Sequence, residues 1–370
     1  MMQTAIPFLF LRGGTSRGPY MRRDALPEDR ETLSEVLIAA LGAGHPLNID
    51  GIGGGAPVTT KVAMLSRSAE PEIDIDYLFA QVSVTERLVD YKPTCGNILS
   101  GVGPASIEMG LVPVADDTTC VTIRAVNTGA RVEARVDTPG GVVRYDGPAA
   151  IDGVPGTAAP VHLDFFDVAG SGTGAMLPTG QAREEIQGVP VTCIDVAMPV
   201  VVALATDLGR TGHETREALD ADTELLHRLE AIRREAGERM GMGDVSKSVT
   251  PKIAMVAPAK DGGHFAARYF TPWACHPSLA VTGAQCLAAC ALTPGSVADG
   301  LFAPPGSPAD LEIEHPMGRI PVRLGFARTN RTLTVQSAGL LRTARLLARG
   351  ELYVPRAVWA GPTPAGSESA

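Results

Sequence analysis

The sequence predicts an α+β fold arranged as two related domains. Three features of the chain point there. At 370 residues it is long enough for two cores of ordinary size. Short runs that alternate apolar and polar residues, divided by Gly, Pro and Asp turns, recur where helical periodicity is sparse. The second half also echoes the first in kind: a strand, a turn holding a thiol and a titratable group, then a helix of small residues, with the turns at Cys95-Gly96-Asn97 and Cys275-His276. The Pro/Gly/Ser-rich tract from Ala169 to Gly180 is the expected boundary, giving domains over 1–185 and 186–370.

Taken in order, residues 6–12 read as a buried strand ending in the turn Gly13-Gly14-Thr15-Ser16-Arg17-Gly18. A helix follows over 27–42, with Leu33, Val36, Leu37, Ala40 and Leu41 on one face and Gly42 as its stop. The loop from His45 to Pro57 holds so much glycine that it must approach something closely or flex. It is not a dinucleotide fingerprint, because no apolar strand precedes it and Pro57 leads into a strand over 58–65. Alternating segments at 73–82 and 85–90 deliver the chain to the Cys95 turn, after which Pro104 kinks or delays the small-residue helix. Strands are expected at 121–126, 131–136, 161–166, 189–197 and 200–204. A long charged amphipathic helix should span about 214–240.

Composition narrows the function classes. A net charge of −9 repels nucleic acid and anionic membrane, so an anionic substrate requires a local basic pocket. Aromatic residues at 5% offer no base-stacking platform. The six cysteines form no C-x-x-C pair and no regular framework, which reads as free thiols in a reducing cytoplasm. No zinc-type spacing and no H-E-x-x-H occur, so no metal is expected. The N-terminus lacks a basic n-region, and no apolar stretch reaches the ~18 residues of a membrane span.

Chemistry concentrates at three places. Cys95 precedes a small-residue helix, whose N-terminal partial charge favours thiolate and holds carboxylates; a half-buried structural cysteine is the plainer alternative. Lys61, at the junction of the glycine loop and an apolar strand, is placed for partial desolvation and proton exchange, although a lone lysine is more often a solvated charge. The Gly13–Gly18 turn can aim N–H and hydroxyl donors at one point with Arg12 and Arg17 close by, forming either a carboxylate cradle or an ordinary strand-end turn. Gly14-x-Ser16-x-Gly18 also matches a serine-hydrolase elbow, but no helical period follows the serine.

Four pieces, in order, resemble the PrpF-like isomerases, which share the diaminopimelate epimerase fold. They are Arg12-Gly13-Gly14-Thr15-Ser16-Arg17-Gly18, Gly53-Gly54-Gly55 through Thr60-Lys61-Val62-Ala63, Cys95-Gly96-Asn97-Ile98-Leu99 through Gly101-Val102-Gly103-Pro104, and Cys275-His276 through Gly283-Ala284. One departure is Arg17, where that family commonly has Lys. The resemblance implies two similar domains, each a mostly antiparallel sheet around a central helix, with the active site in the cleft between them. It implies Lys61 and Cys95 as acid/base groups, and Arg12, Thr15, Ser16, Arg17, Gly96, Asn97, Arg268 and His276 as substrate-binding residues. It further implies a cofactor-independent, cytoplasmic isomerase that moves a proton and a double bond in an unsaturated tricarboxylate. The runs look most like the 4-oxalomesaconate tautomerases of bacterial gallate and protocatechuate breakdown, with 2-methylaconitate cis-trans isomerase and methylitaconate delta-isomerase as alternatives. A homodimer is compatible with the sequence; the readings from other classes are a serine hydrolase or a non-catalytic carboxylate-binding protein.

Overall fold

A computed structural model describes residues 3–92, 94–151 and 153–362. The chain divides into two compact units, one holding residues up to Leu163 together with those from Leu341 onward, the other Asp164–Leu340. Both are sheet-dominated α+β structures with few helices.

The first unit contains β1 (Gln3–Gly13), β2 (Ser16–Arg22), α1 (Arg30–Leu41), β3 (Lys61–Arg67), β4 (Ile75–Val82), β5 (Val89–Asp90), α2 (Gly96–Leu99), α3 (Val102–Glu108), β6 (Asp117–Ala125) and β7 (Ala130–Thr138). Its sheet runs β1-β2-β3-β4-β6-β7. The pairs β2–β3 and β4–β6 are parallel, and β1–β2, β3–β4 and β6–β7 are antiparallel. Asp29 caps α1 by accepting from the Thr32 N–H, and Gly42 ends it at φ 70°. One sheet face, with Met21, Val62, Met64 and Ala80, packs on Leu33, Val36 and Leu37 of α1. The opposite face, with Tyr20 and Ala134, receives α2 and α3: Tyr20 donates to the Ile98 carbonyl at 2.6 Å, and a Cβ on Gly103 would stand 3.1 Å from Ala134 Cβ. Helix α2 stops after one turn and α3 begins at Val102, because Pro104 has no N–H to donate to the Ser100 carbonyl.

Three sequence readings meet the structure here. The run 85–90 is mostly turn, closed by the Ser83 N–H to the Leu88 carbonyl at 2.9 Å, and only Val89–Asp90 pairs. Ser16 opens a strand rather than a strand-to-helix elbow, which removes the hydrolase reading. The glycine loop folds onto the end of α1: Ile52 and Gly53 donate to the Ala40 and Leu41 carbonyls, and a Cβ on Gly51 would lie 2.1 Å from the Gly42 nitrogen. Its glycines serve that close approach.

After β8 (Pro160–Phe166), the second unit holds β9 (Glu184–Ile186), β10 (Val189–Asp195), β11 (Pro199–Leu204), α4 (Arg216–Ala221), α5 (Thr223–Arg239), β12 (Lys252–Pro258), β13 (Phe265–Phe270), α6 (Val281–Leu292), β14 (Ala309–His315), β15 (Gly318–Arg328) and the start of β16 (Leu333–Pro355). The long charged helix is broken at Asp222, whose backbone leaves the helical region (ψ 80°) and whose carboxylate caps α5 through the Leu225 N–H. Every residue of α6 from Gly283 to Leu292 is buried in a core shared with β10 to β15. No helix among the described residues is long and apolar enough to cross a membrane.

Candidate active site

Strands β1 and β2 join through the two-residue turn Gly14-Thr15, and Gly14 takes the positive φ of 51° that such a hairpin needs at its first position. The turn lies against the Cys95 segment. A Cβ on Gly14 would fall 2.2 Å from Asn97 Oδ1, and the Asn97 amide donates to Thr15 Oγ1 at 3.0 Å. Beyond the turn, β2 passes β3 so closely that a Cβ on Gly18 would stand 1.7 Å from the Lys61 carbonyl oxygen. Tyr20, fully buried, then ties β2 to α2, and Gly101 leaves room for its ring. Three glycines therefore let the hairpin, the Lys61 strand and the Cys95 helix occupy one corner of the first unit.

Lys61 opens β3 half-buried, on the sheet face that carries Ala63 and Leu65. Its Nζ donates to Gln81 Oε1 at 2.8 Å and sits 5.3 Å from the Phe79 ring centroid. Gln81 is directly opposite it on β4. The Gln81 amide nitrogen is itself fixed, lying 3.1–3.3 Å from the Pro57, Thr60 and Val82 carbonyls and 3.2 Å from Thr60 Oγ1. Those acceptors fix the amide so that its oxygen faces the lysine. Gln81→Met should leave folding intact and reduce turnover by about tenfold or more through loss of this alignment. Gln81→Glu should be worse at neutral pH and recover as pH rises, because a carboxylate favours the charged lysine. Initial rates of the two variants across pH check both.

Cys95 is the N-cap residue of α2, half-buried, with extended backbone (φ −135°, ψ 105°). A Cβ on the following Gly96 would meet open space. Two tyrosines lie near Cys95. The Tyr20 phenol is held well above its ordinary pKa first by burial and then by Cys95, and the same causes act in the same order on Tyr77. Both remain protonated, and the fully buried Tyr77 hydroxyl has no hydrogen-bond partner among the described residues.

The other residues expected from the sequence divide. Ser16 is 2% exposed and shares the alternation of Gly18 and Tyr20, toward α2. Arg17 and Arg12 take the opposite alternation. A cavity of about 160 Å³ at the hairpin rim is lined by Arg12, Thr15, Ser16, Arg17, Val58 and Thr59, among others, without Lys61 or Cys95. In the second unit, Arg268 is buried on β13. It gives Nε to the Glu214 carbonyl at 2.8 Å and Nη1 to the Ala267 carbonyl at 3.0 Å, and burial lowers its pKa. His276 Nδ1 accepts from the Ser278 N–H at 3.0 Å, and the His276 backbone N–H donates to the Tyr269 carbonyl at 2.7 Å. Helix α6 starts only at Val281 with Ala280 as its N-cap, so His276 is not at a helix end as the sequence suggested. Among the described residues no group of three His, Cys, Asp or Glu could hold a metal ion.

Residues 3–355 match the PrpF protein family. The chain belongs to that family. It is 49% identical to YbhH of Escherichia coli K12 over 350 residues, covering 95% of this chain and 99% of YbhH. It is 46% identical to the 4-oxalomesaconate tautomerase of Pseudomonas putida over 363 residues, covering 98% and 99%. The crystal structure of methylitaconate-delta-isomerase superposes with a TM-score of 0.89 at 33% identity, covering 97% of each chain.

In this PrpF-family chain, sequence reasoning misses Gln81 and Tyr20. A cue for Gln81 exists: it continues the alternate positions Ile75, Tyr77 and Phe79, an apolar row on β4 in which it is the polar member. A polar residue in an inward row needs a partner. Nothing in the sequence pairs it with Lys61, because that pairing is a matter of register.

Proposed function

We propose that the protein is a tautomerase-type isomerase acting on 4-oxalomesaconate. The observation that carries this reading is the Lys61 amine, held by a fixed Gln81 beside the hairpin–Asn97–Cys95 corner, in a chain 46% identical over nearly its whole length to a 4-oxalomesaconate tautomerase. Lys61, as neutral amine, takes a proton from the methylene between the keto group and the double bond. The electron pair spreads into a dienolate, and the proton is returned elsewhere on the conjugated system. Thr15, Ser16 and Asn97 bind carboxylates, and the N–H groups of Gly96 and Asn97 support the developing oxyanion. The scheme draws on no cofactor. We place Arg268 and His276 outside the proton-transfer step.

Cys95 acts in this scheme as a binding and polarising group, with Lys61 carrying the proton in both directions. Cys95→Ser should then lose less than the ~100-fold of a missing general catalyst. Rates and substrate affinity of the folded variant are the readout; a dead but binding-competent Cys95→Ser enzyme would assign the proton to the thiol. The substrate is tested by comparing kcat/KM for 4-oxalomesaconate, 2-methylaconitate and methylitaconate. The first should be highest, and a higher value for either of the others would replace the substrate while keeping the reaction class.

A further inference from the structure

Arg17, Arg12 and Arg345 stand side by side on β2, β1 and β16. The register sets Arg12 directly opposite Arg17 on one side and opposite Arg345 on the other, so three guanidinium groups leave one sheet face in a row. Like charges placed directly opposite one another destabilise a sheet. Little in the described structure offsets them. Arg12 is half-buried and spends Nη1 on the Gly14 carbonyl at 2.9 Å and on the Thr343 carbonyl and hydroxyl at 3.0 Å. Burial, and then the charge of Arg345, lower its pKa. Arg17 lies 5.7 Å from the Phe10 ring centroid, and Arg345 has neither an ion pair nor a hydrogen bond among the described residues. The three line a cavity of about 440 Å³ with Tyr145, Thr343 and Asp146, which among the described residues is the one carboxylate on its wall.

We propose that this cavity binds a small oxyanion carrying two or more negative charges, of the phosphate or polycarboxylate class, at a site separate from Lys61. Guanidinium groups match such oxygens with paired N–H donors. A row of three against one carboxylate, in a chain of net charge −9, is a local excess that an anion would neutralise. Arg12 and Arg17 also line the small rim cavity with Thr15 and Ser16, so the separation claimed is from Lys61, Cys95 and Asn97. Gly18 and Tyr20 face α2, whereas Arg17 shares its alternation with Met21, which packs on the α1 side. Neither Lys61, Cys95 nor Asn97 lines the cavity. The site is also joined to the hairpin, since the arginine at the centre of the row holds the Gly14 carbonyl next to Thr15.

Calorimetric titration of the full chain at low salt with inorganic phosphate, and separately with tricarballylate, tests the proposal and distinguishes the two sources. We expect a binding component, with at least one of the two anions, that weakens at least tenfold in Arg345→Glu and persists in Lys61→Met. Arg345→Gln should weaken the same component while melting no lower than the parent, because one of three facing like charges is gone. Three outcomes overturn the proposal: no binding of either anion, binding indifferent to Arg345→Glu, or a component lost equally in Lys61→Met, which would locate the anion at the reaction site. An Arg345→Gln chain that melts lower yet binds as the parent does would make Arg345 a structural residue and also overturn it.

Discussion

Lys61→Met is expected to lose turnover by about 10²–10⁴-fold, the range for removing a general acid/base, while the folded chain still binds substrate. The variant keeps the stem over Phe79 and removes only the amine that Gln81 holds. Lys61 is half-buried at a strand start, with no ion pair among the described residues, so its loss leaves no buried charge stranded. Steady-state rates with a melting curve for each preparation separate a lost proton shuttle from a lost fold. A Lys61→Met enzyme with near-parent turnover would remove the lysine from the mechanism.

The second large effect should come from a residue with no side chain. Gly18→Ala introduces a methyl 1.7 Å from the Lys61 carbonyl oxygen, and that neighbour is backbone, with no flexible end that could yield. Either β2 or the start of β3 must move. Overpacking of this kind costs about 1–3 kcal/mol of stability. A shift of about 1 Å in the lysine costs on the order of 10²-fold in rate. Melting temperature and kcat should therefore fall together, whereas Gly96→Ala, whose Cβ meets open space, should melt as the parent does. Equal melting temperatures for Gly18→Ala and the parent would show that the two strands are not locked at this crossing.

Much of the local structure was legible because it depends on neighbours in sequence. The apolar face of α1 and its Gly42 stop, the alternation of β4, β6 and β7, and the interruption at Pro104 all appear in the chain itself. Local chemistry also misled. Charge periodicity ran straight through Asp222, where a side chain capping the next helix ends the first. The segment after Gly283 was readable as a small-residue helix, but its start at Val281 detached it from His276. Strand β16, 23 residues long, went unread; its far half pairs with β1 and brings Arg345 beside Arg12.

The site shows the same division. Lys61, Cys95, Asn97 and Ser16 announce themselves by residue type in a glycine-rich context, and the hairpin does bring Thr15 to Asn97. What holds them was not legible. Gln81 reaches Lys61 only through the β3–β4 register, and Tyr20 reaches Ile98 only because β2 runs beneath α2. Arg17 alternates with Ser16 along β2, yet both line one small cavity at the hairpin rim with Arg12 and Thr15, so the residues grouped in the sequence do meet there, without Lys61 or Cys95 on the wall.

The most direct test of the central claim, that the Lys61 amine carries the substrate proton, is solvent-deuterium exchange by Lys61→Arg. The parent enzyme and the variant would be incubated in D₂O with 4-oxalomesaconate, and label at the methylene beside the keto group followed by proton NMR. Arginine keeps the charge and much of the reach, but its guanidinium does not deprotonate in proteins and cannot act as the base. The account predicts rapid label with the parent and a rate near background with Lys61→Arg. Exchange by the arginine variant at close to the parent rate would contradict it, reducing Lys61 to a binding charge and moving the proton shuttle to Cys95 or His276.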